Sequence, residues 1–145
     1  MSDIIVRVVT RLMIPYLQLY GLYIILYGHN SPGGGFAGGT VIASSLILYV
    51  LAFGIDDEDL RLSPSVARII ESCGALAYVG IGLGGILLGA NFLSNKAAGF
   101  PLGIPGRVFS GGTIVLLTVS IGLKVASTMI TLFVNIAEKE GEEES

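Results

Sequence analysis

Four long apolar runs, separated by polar or glycine-rich interruptions, dominate this chain. They cover about residues 8–27, 36–53, 69–88 and 113–136. Each is close to the roughly 20 mostly apolar residues that a helix needs to cross a hydrocarbon core. The pattern predicts an all-α integral membrane protein with four transmembrane helices, forming a single membrane domain over residues 1–145. An acidic tail at 137–145 follows the last helix, and its composition predicts disorder. Pro15 near the start of the first helix predicts a kink or a stepped entry. No internal repeat stands out.

The interruption between the first two runs is the most distinctive stretch. Tyr27-Gly28-His29-Asn30-Ser31-Pro32-Gly33-Gly34-Gly35-Phe36-Ala37-Gly38-Gly39 holds the only His, together with Pro32 and six glycines. Glycine permits positive φ and close backbone approach, and Pro32 drives Ser31 away from helical angles. We read it as a tight Gly/Pro-rich hairpin built on Asn30, Pro32, Gly33, Gly34, Gly35 and Phe36, with the second helix starting near Phe36. Its backbone N–H groups are suited to holding an anion, a carbonyl or a partner side chain. Gly33-x-Gly35-x-x-Gly38, with Asp56 further on, imitates a dinucleotide fingerprint. That motif requires a preceding strand and a βαβ unit, whereas both flanks here are long apolar helices.

The polar loop after the second run carries Asp56, Asp57, Glu58, Asp59 and Arg61, which read as a solvated turn. Ser63-Pro64 reads as a helix cap followed by Pro at the first helical position, so the third helix can begin before its apolar run and include Arg68. Gly80/Gly84 and Gly85/Gly89 are small-xxx-small pairs and predict close packing against another helix, in this chain or in a partner. A second loop carries Lys96, Pro101, Pro105 and Arg107, and Ser110-Gly111-Gly112 opens the last helix.

Composition agrees with a membrane protein: 52% of residues are hydrophobic and 13% charged. The mean hydropathy is +0.80, too apolar for an ordinary soluble domain. The net charge of −3 comes largely from the acidic end, Glu138 to Glu144, and by itself says nothing about nucleic acid, which is not an expected partner. One Cys and one His exclude an internal disulfide and a bis-His haem, and argue against a zinc site, so no metal or other cofactor is expected in this chain. The N-terminal run lacks a small-residue cleavage site and reads as a retained helix. If all four helices span, Arg7, Arg11, Arg61, Arg68 and Lys139 fall on one side, with Lys96 and Arg107 on the other. The positive-inside bias then places both termini in the cytoplasm of a plasma-membrane protein and the His29 hairpin outside.

Lys124 is the residue most in need of explanation. A charge at a helix centre costs about 2.5–3.5 kcal/mol on insertion scales. Thr113, Ser120, Lys124, Ser127, Thr128, Thr131 and Asn135 fall mostly on one stripe of the fourth helix, which should face protein or water. The functional reading makes Lys124, Ser120 and Thr128 part of an ion or proton path; the alternative is a structural Lys paired across a subunit interface. Glu71 is the obvious carboxylate. Counting from helix ends puts it about a turn inside the membrane boundary and Lys124 about 18 Å deep. This predicts a water bridge or a partner-chain carboxylate instead of direct contact. His29 reads as a loop-stabilising hydrogen bonder, with proton entry or exit as the rival role. Tyr16, Tyr20, Tyr23 and Tyr27 share one helix face, either as a packing and interfacial belt or as the lining of a wet path.

The hairpin sequence, Phe109-Ser110-Gly111-Gly112-Thr113 and Gly122-Leu123-Lys124-Val125-Ala126 together resemble the MnhB/MrpB family. That family comprises small four-helix subunits of Mrp-type multisubunit Na+/H+ antiporters and similar subunits of energy-converting membrane-bound hydrogenases and related respiratory complexes. The resemblance covers essentially the whole chain, and the family's hairpin Pro and Phe map onto Pro32 and Phe36. It implies a non-catalytic subunit that assembles in the bilayer with other Mrp-type membrane subunits, including a large antiporter-like one, and supports sodium and proton transport. The alternative it leaves is a purely structural assembly subunit in the membrane arm of a hydrogenase or other redox complex. A subunit binding quinone or haem near His29 is a third reading, opposed by the single His and the lack of a cysteine cluster.

Overall fold

A computed structural model describes residues 2–54, 64–89, 91–93, 103–104 and 107–143. The described chain is all-helical: α1 is Ser2–Tyr27, α2 is Gly35–Phe53, α3 is Pro64–Leu87 and α4 is Thr113–Glu143. A short 3-10 turn, Val108–Gly111, leads into α4. Four stretches are long and apolar enough to cross a membrane: Ile4–Tyr27, Gly35–Phe53, Ser65–Leu87 and Thr113–Ala137.

Three helices extend beyond the apolar runs that define them in sequence. α1 starts six residues earlier than residue 8 and continues through Pro15. α3 starts at Pro64, where proline's missing N–H costs nothing because that position has no intrahelical acceptor. The Ser63 cap, the acidic turn with Arg61, and Lys96, Pro101 and Pro105 lie outside the described residues. α4 continues to Glu143, which corrects the expectation of a disordered tail. Glu, Lys and Ala are good helix formers, and extending an existing helix avoids the cost of nucleation.

The helices form a row in the order α1, α2, α4, α3. α2 is sandwiched between α1 and α4, while α3 sits at the edge and packs chiefly on α4. Glycine sets the inner seams. A Cβ on Gly39 would lie 2.7 Å from the Gly122 carbonyl oxygen of α4, and one on Gly35 would collide with the Thr118 carbonyl. On the other side of α2, a Cβ on Gly38 would lie 2.7 Å from the Gly21 carbonyl of α1. Backbones therefore touch backbones along both faces of α2, the arrangement by which small residues hold membrane helices together.

The glycine pairs of α3 behave differently. A Cβ on Gly80, Gly84 or Gly89 would meet nothing within 4 Å. Close packing is therefore not found for those three glycines: Gly80 and Gly84 lie on a face of α3 without a neighbour among the described residues, and Gly89 lies past the end of the helix. Gly74 instead makes the crossing with α4, where a Cβ would lie 2.9 Å from the Ser120 carbonyl.

Candidate functional site

The α3–α4 crossing brings the polar stripe of α4 against three positions of α3. Ala67, Glu71 and Gly74 recur at i, i+4 and i+7, so they share one face. Gly74 removes the side chain that would hold α4 away, and Lys124 Cβ would be 3.2 Å from a Cβ there. The Ser127 hydroxyl donates to the Ala67 carbonyl at 2.7 Å in a buried contact. Between these two fixed points, Lys124 Nζ reaches Glu71 Oε1 at 3.1 Å. The Thr128 hydroxyl donates to the same carboxylate oxygen at 3.0 Å.

This direct pair overturns the depth argument that separated Glu71 from Lys124. That argument set the ends of both helices at one membrane plane. The contacts put Ala67 beside Ser127 and Glu71 beside Lys124 and Thr128, so Pro64 lies near the level of residue 131. From there α4 runs on to Glu143, about a dozen residues or roughly 18 Å further. The offset carries Glu71 to the depth of Lys124, which lies one residue from the middle of the Thr113–Ala137 span.

The pair is open on one side. The side chains of Lys124 and Glu71 are 45% and 34% exposed. The remaining hydroxyls are divided. Ser120 donates to the Leu116 carbonyl at 2.8 Å and Thr131 to the Ser127 carbonyl at 2.9 Å, both within α4. Ser120 therefore lines the crossing without touching the ion pair, whereas Thr128 belongs to it.

A second cluster closes the hairpin end of the molecule. Tyr27 caps the hairpin: its carbonyl accepts from the backbone N–H groups of Asn30 at 2.9 Å and Ser31 at 3.0 Å. Gly34 has φ +145°, a conformation that a side chain would strain, and its carbonyl accepts the first α2 bond, from Gly38 N–H at 3.0 Å. His29 reaches across to the start of α4, with Nε2 3.2 Å from the Arg107 carbonyl and 2.8 Å from Ser110 Oγ. The Asn30 amide nitrogen lies 2.9 Å from the same Nε2, so this one ring nitrogen is the meeting point of the two loops. Nδ1 is buried without a hydrogen-bond partner among the described residues. The Asn30 amide nitrogen lies within 3.3 Å of Ser110 Oγ and 3.4 Å of the Arg107 carbonyl, and ties the same two loops together. Gly111 makes room for the ring, since a Cβ there would lie 3.0 Å from it.

The structure thus joins Lys124, Glu71 and Thr128, with Ser120 alongside, and keeps His29 and Asn30 in a separate loop clamp. Pro32 and Phe36 are exposed, and Phe36, at 61%, contributes little to the packing of this chain. Sequence reasoning put Ser127 on the polar stripe of α4 without naming its partner, and gave Gly74 and Ser110 no part in a site. Gly74, three positions after Glu71, and Ser127, three positions after Lys124, each stand one helical turn from a member of the charged pair, and that spacing was the available signal for both. The reach of His29 to Ser110 had none, because 81 residues separate them. Among the described residues no group of three or more His, Cys, Asp or Glu is arranged to hold a metal.

Residues 5–131 match the family described as a domain related to the MnhB subunit of Na+/H+ antiporter. The chain is 33% identical over 136 residues to the candidate antiporter subunit mnhB2 of Staphylococcus aureus strain Newman, covering 94% of this chain and 95% of the relative. It superimposes on a chain of the membrane-bound sulfane sulfur reductase, an archaeal respiratory membrane complex, with TM-score 0.73 and 34% identity. That match covers 87% of this chain and 54% of the other. A chain of the Mrp complex from Dietzia sp. DQ12-45-1b matches with TM-score 0.70 and 25% identity, over 89% of this chain and 13% of that one. The chain spans about half of the first structural relative and a smaller part of the second.

Proposed function

The chain belongs to the MnhB family, and on that premise we propose that it works as an integral membrane subunit of an Mrp-type cation/proton-translocating complex, with the Lys124–Glu71–Thr128 cluster as its contribution to the ion path. One observation carries this reading: a Lys and a Glu meet at 3.1 Å near the middle of a membrane span and leave one side of the pair uncovered. An uncovered ion pair at that depth does not face lipid, because ionisable groups in the hydrocarbon region face protein or a water-filled cavity. The open side therefore meets a neighbouring subunit or a hydrated passage. There Glu71 supplies a carboxylate for a cation or proton, and Lys124 supplies a competing charge that swings away when a cation arrives. Thr128 holds the carboxylate oriented in either state.

Its partners are other Mrp-type membrane subunits, including a large antiporter-like one. The reading needs no cofactor or catalytic centre in this chain. Localisation is the plasma membrane, with both termini cytoplasmic. Single cysteines at Ser2 and Ser31, in a Cys73→Ser background, should be labelled from opposite sides by an impermeant reagent. Labelling from the same side would overturn that orientation.

The decisive experiment replaces Lys124 with Ala in the assembled complex. Complex yield should stay near wild type while ion-coupled transport falls by about tenfold or more, equivalent to roughly 1.4 kcal/mol or more on the barrier. Lys124→Arg should restore transport only in part, because Arg keeps its proton. A second reading, a structural assembly subunit of a respiratory membrane arm, draws on the match to the sulfane sulfur reductase complex. It requires yield and transport to fall together in Lys124→Ala. Wild-type transport in that variant would remove the ion-path role.

A further inference from the structure

At the end of the bundle away from the hairpin, Ile4, Arg7, Val8, Arg11, Leu12 and Phe53 line a groove of about 560 Å³. Arg7 and Arg11 are one helical turn apart on α1, so they share a face. Both guanidinium groups lie over the Phe53 ring at the end of α2, with their carbons 5.9 Å and 5.2 Å from its centre. The Arg7 Nε–H also donates to the Ala52 carbonyl at 3.3 Å, an acceptor that the last turn of α2 leaves without an intrahelical donor. This bond and the shared ring hold two positive charges side by side. The residues that line the groove supply these two guanidinium groups and no carboxylate.

Depth selects the occupant. Arg7 is 20 residues from Tyr27, where α1 ends at the hairpin, and Arg11 is 16. At 1.5 Å per residue those separations are about 30 Å and 24 Å. The hydrocarbon core is about 30 Å thick, so Arg7 sits at its far boundary and Arg11 reaches that boundary by extending its side chain. The groove thus has two fixed guanidinium groups at headgroup level. Its apolar walls, Ile4, Val8 and Leu12, are exposed at 61–66% and run along the first turns of the span.

We propose that this groove is a binding site for an anionic phospholipid: its phosphate is taken by Arg7 and Arg11 and its upper acyl chain lies along Val8 and Leu12, with Ile4 at the headgroup level. Guanidinium groups suit the role because their planar donors grip phosphate in pairs. A soluble anion would gain nothing from the apolar walls, and a neutral lipid would gain nothing from the doubled charge.

The test uses the full chain in lipid nanodiscs. The sequence contains no Trp, so Phe53→Trp installs a single reporter on the groove floor and keeps an aromatic face for both Arg side chains. Phosphatidylglycerol with brominated acyl chains should quench it at about one-thirtieth the mole fraction needed by brominated phosphatidylcholine, as expected for two basic residues at a membrane surface. Arg7→Gln with Arg11→Gln should abolish that preference, and the paired Lys substitutions should retain part of it. Equal quenching by the two lipids, or a preference that survives the double Gln variant, would overturn the proposal. So would loss of quenching as the chain self-associates, which would make a second copy the occupant. Loss of quenching when the other subunits are added would assign the groove to a partner protein and equally overturn it.

Discussion

The two faces of α4 are held in opposite ways. Toward α2, Gly122 meets Gly39 with almost nothing between the backbones. Toward α3, Ser127, Lys124 and Thr128 reach out and bond to the Ala67 carbonyl and to Glu71. Lipid tails are as apolar as Leu, so neither seam is driven together by the exclusion of water. The α2 seam relies on dense backbone contact and admits no added atom. The α3 seam relies on side chains, which can change partners without separating the helices. A rigid seam next to an adjustable one suits a helix that must stay anchored while its charged face exchanges ions. The buried Ser127 bond and the Gly74 crossing bracket the ion pair, so motion there can be confined to the Lys124 and Glu71 side chains.

Substitutions that add or remove a single group can break this contrast. Gly39→Ala should have the largest effect on stability. Its methyl group would lie 2.7 Å from a backbone oxygen that cannot turn aside, and overpacking of this kind costs about 1–3 kcal/mol. Thermal unfolding in detergent should show a clear loss of midpoint; a wild-type midpoint would mean that the α2 seam is looser than the contacts imply.

Ser127→Ala should come next. It removes one buried hydrogen bond and should cost about 1 kcal/mol in the same measurement, while leaving the Glu71 pair in place. If the loss matched that of Gly39→Ala, the α3 seam would be as unforgiving as the α2 seam and the proposed division of labour would fail.

Gly80→Ala should have the smallest effect and the opposite sign. Nothing lies within 4 Å of its added methyl, and the substitution raises helix propensity by up to about 1 kcal/mol. The isolated chain should therefore be unchanged or slightly stabilised. A fall in yield confined to the assembled complex would identify the open glycine face of α3 as a subunit interface.

Much of this architecture was legible along the chain, because crossing a bilayer imposes a length and an apolarity that local sequence must satisfy. The runs themselves fix four spans. The Pro32 and Gly34 neighbourhood fixes the tight turn between the first two, where Gly34 at φ +145° needs its glycine. Lys124 declared itself as a charge that must be covered, and the family could be recognised from the hairpin and the segment around that Lys. The position of Glu71 relative to Lys124 could not be read in this way. Sequence gives the length of each helix but not how far one slides along another. That offset is set where backbones can touch, at Gly74 against Ser120 and at the Ser127 bond to Ala67, and it carries Glu71 inward to the middle of the α4 span. The same holds for His29 with Ser110, and for Arg7 and Arg11 over Phe53: each pairing joins segments far apart in the chain, and only the packing of the helices brings them within reach.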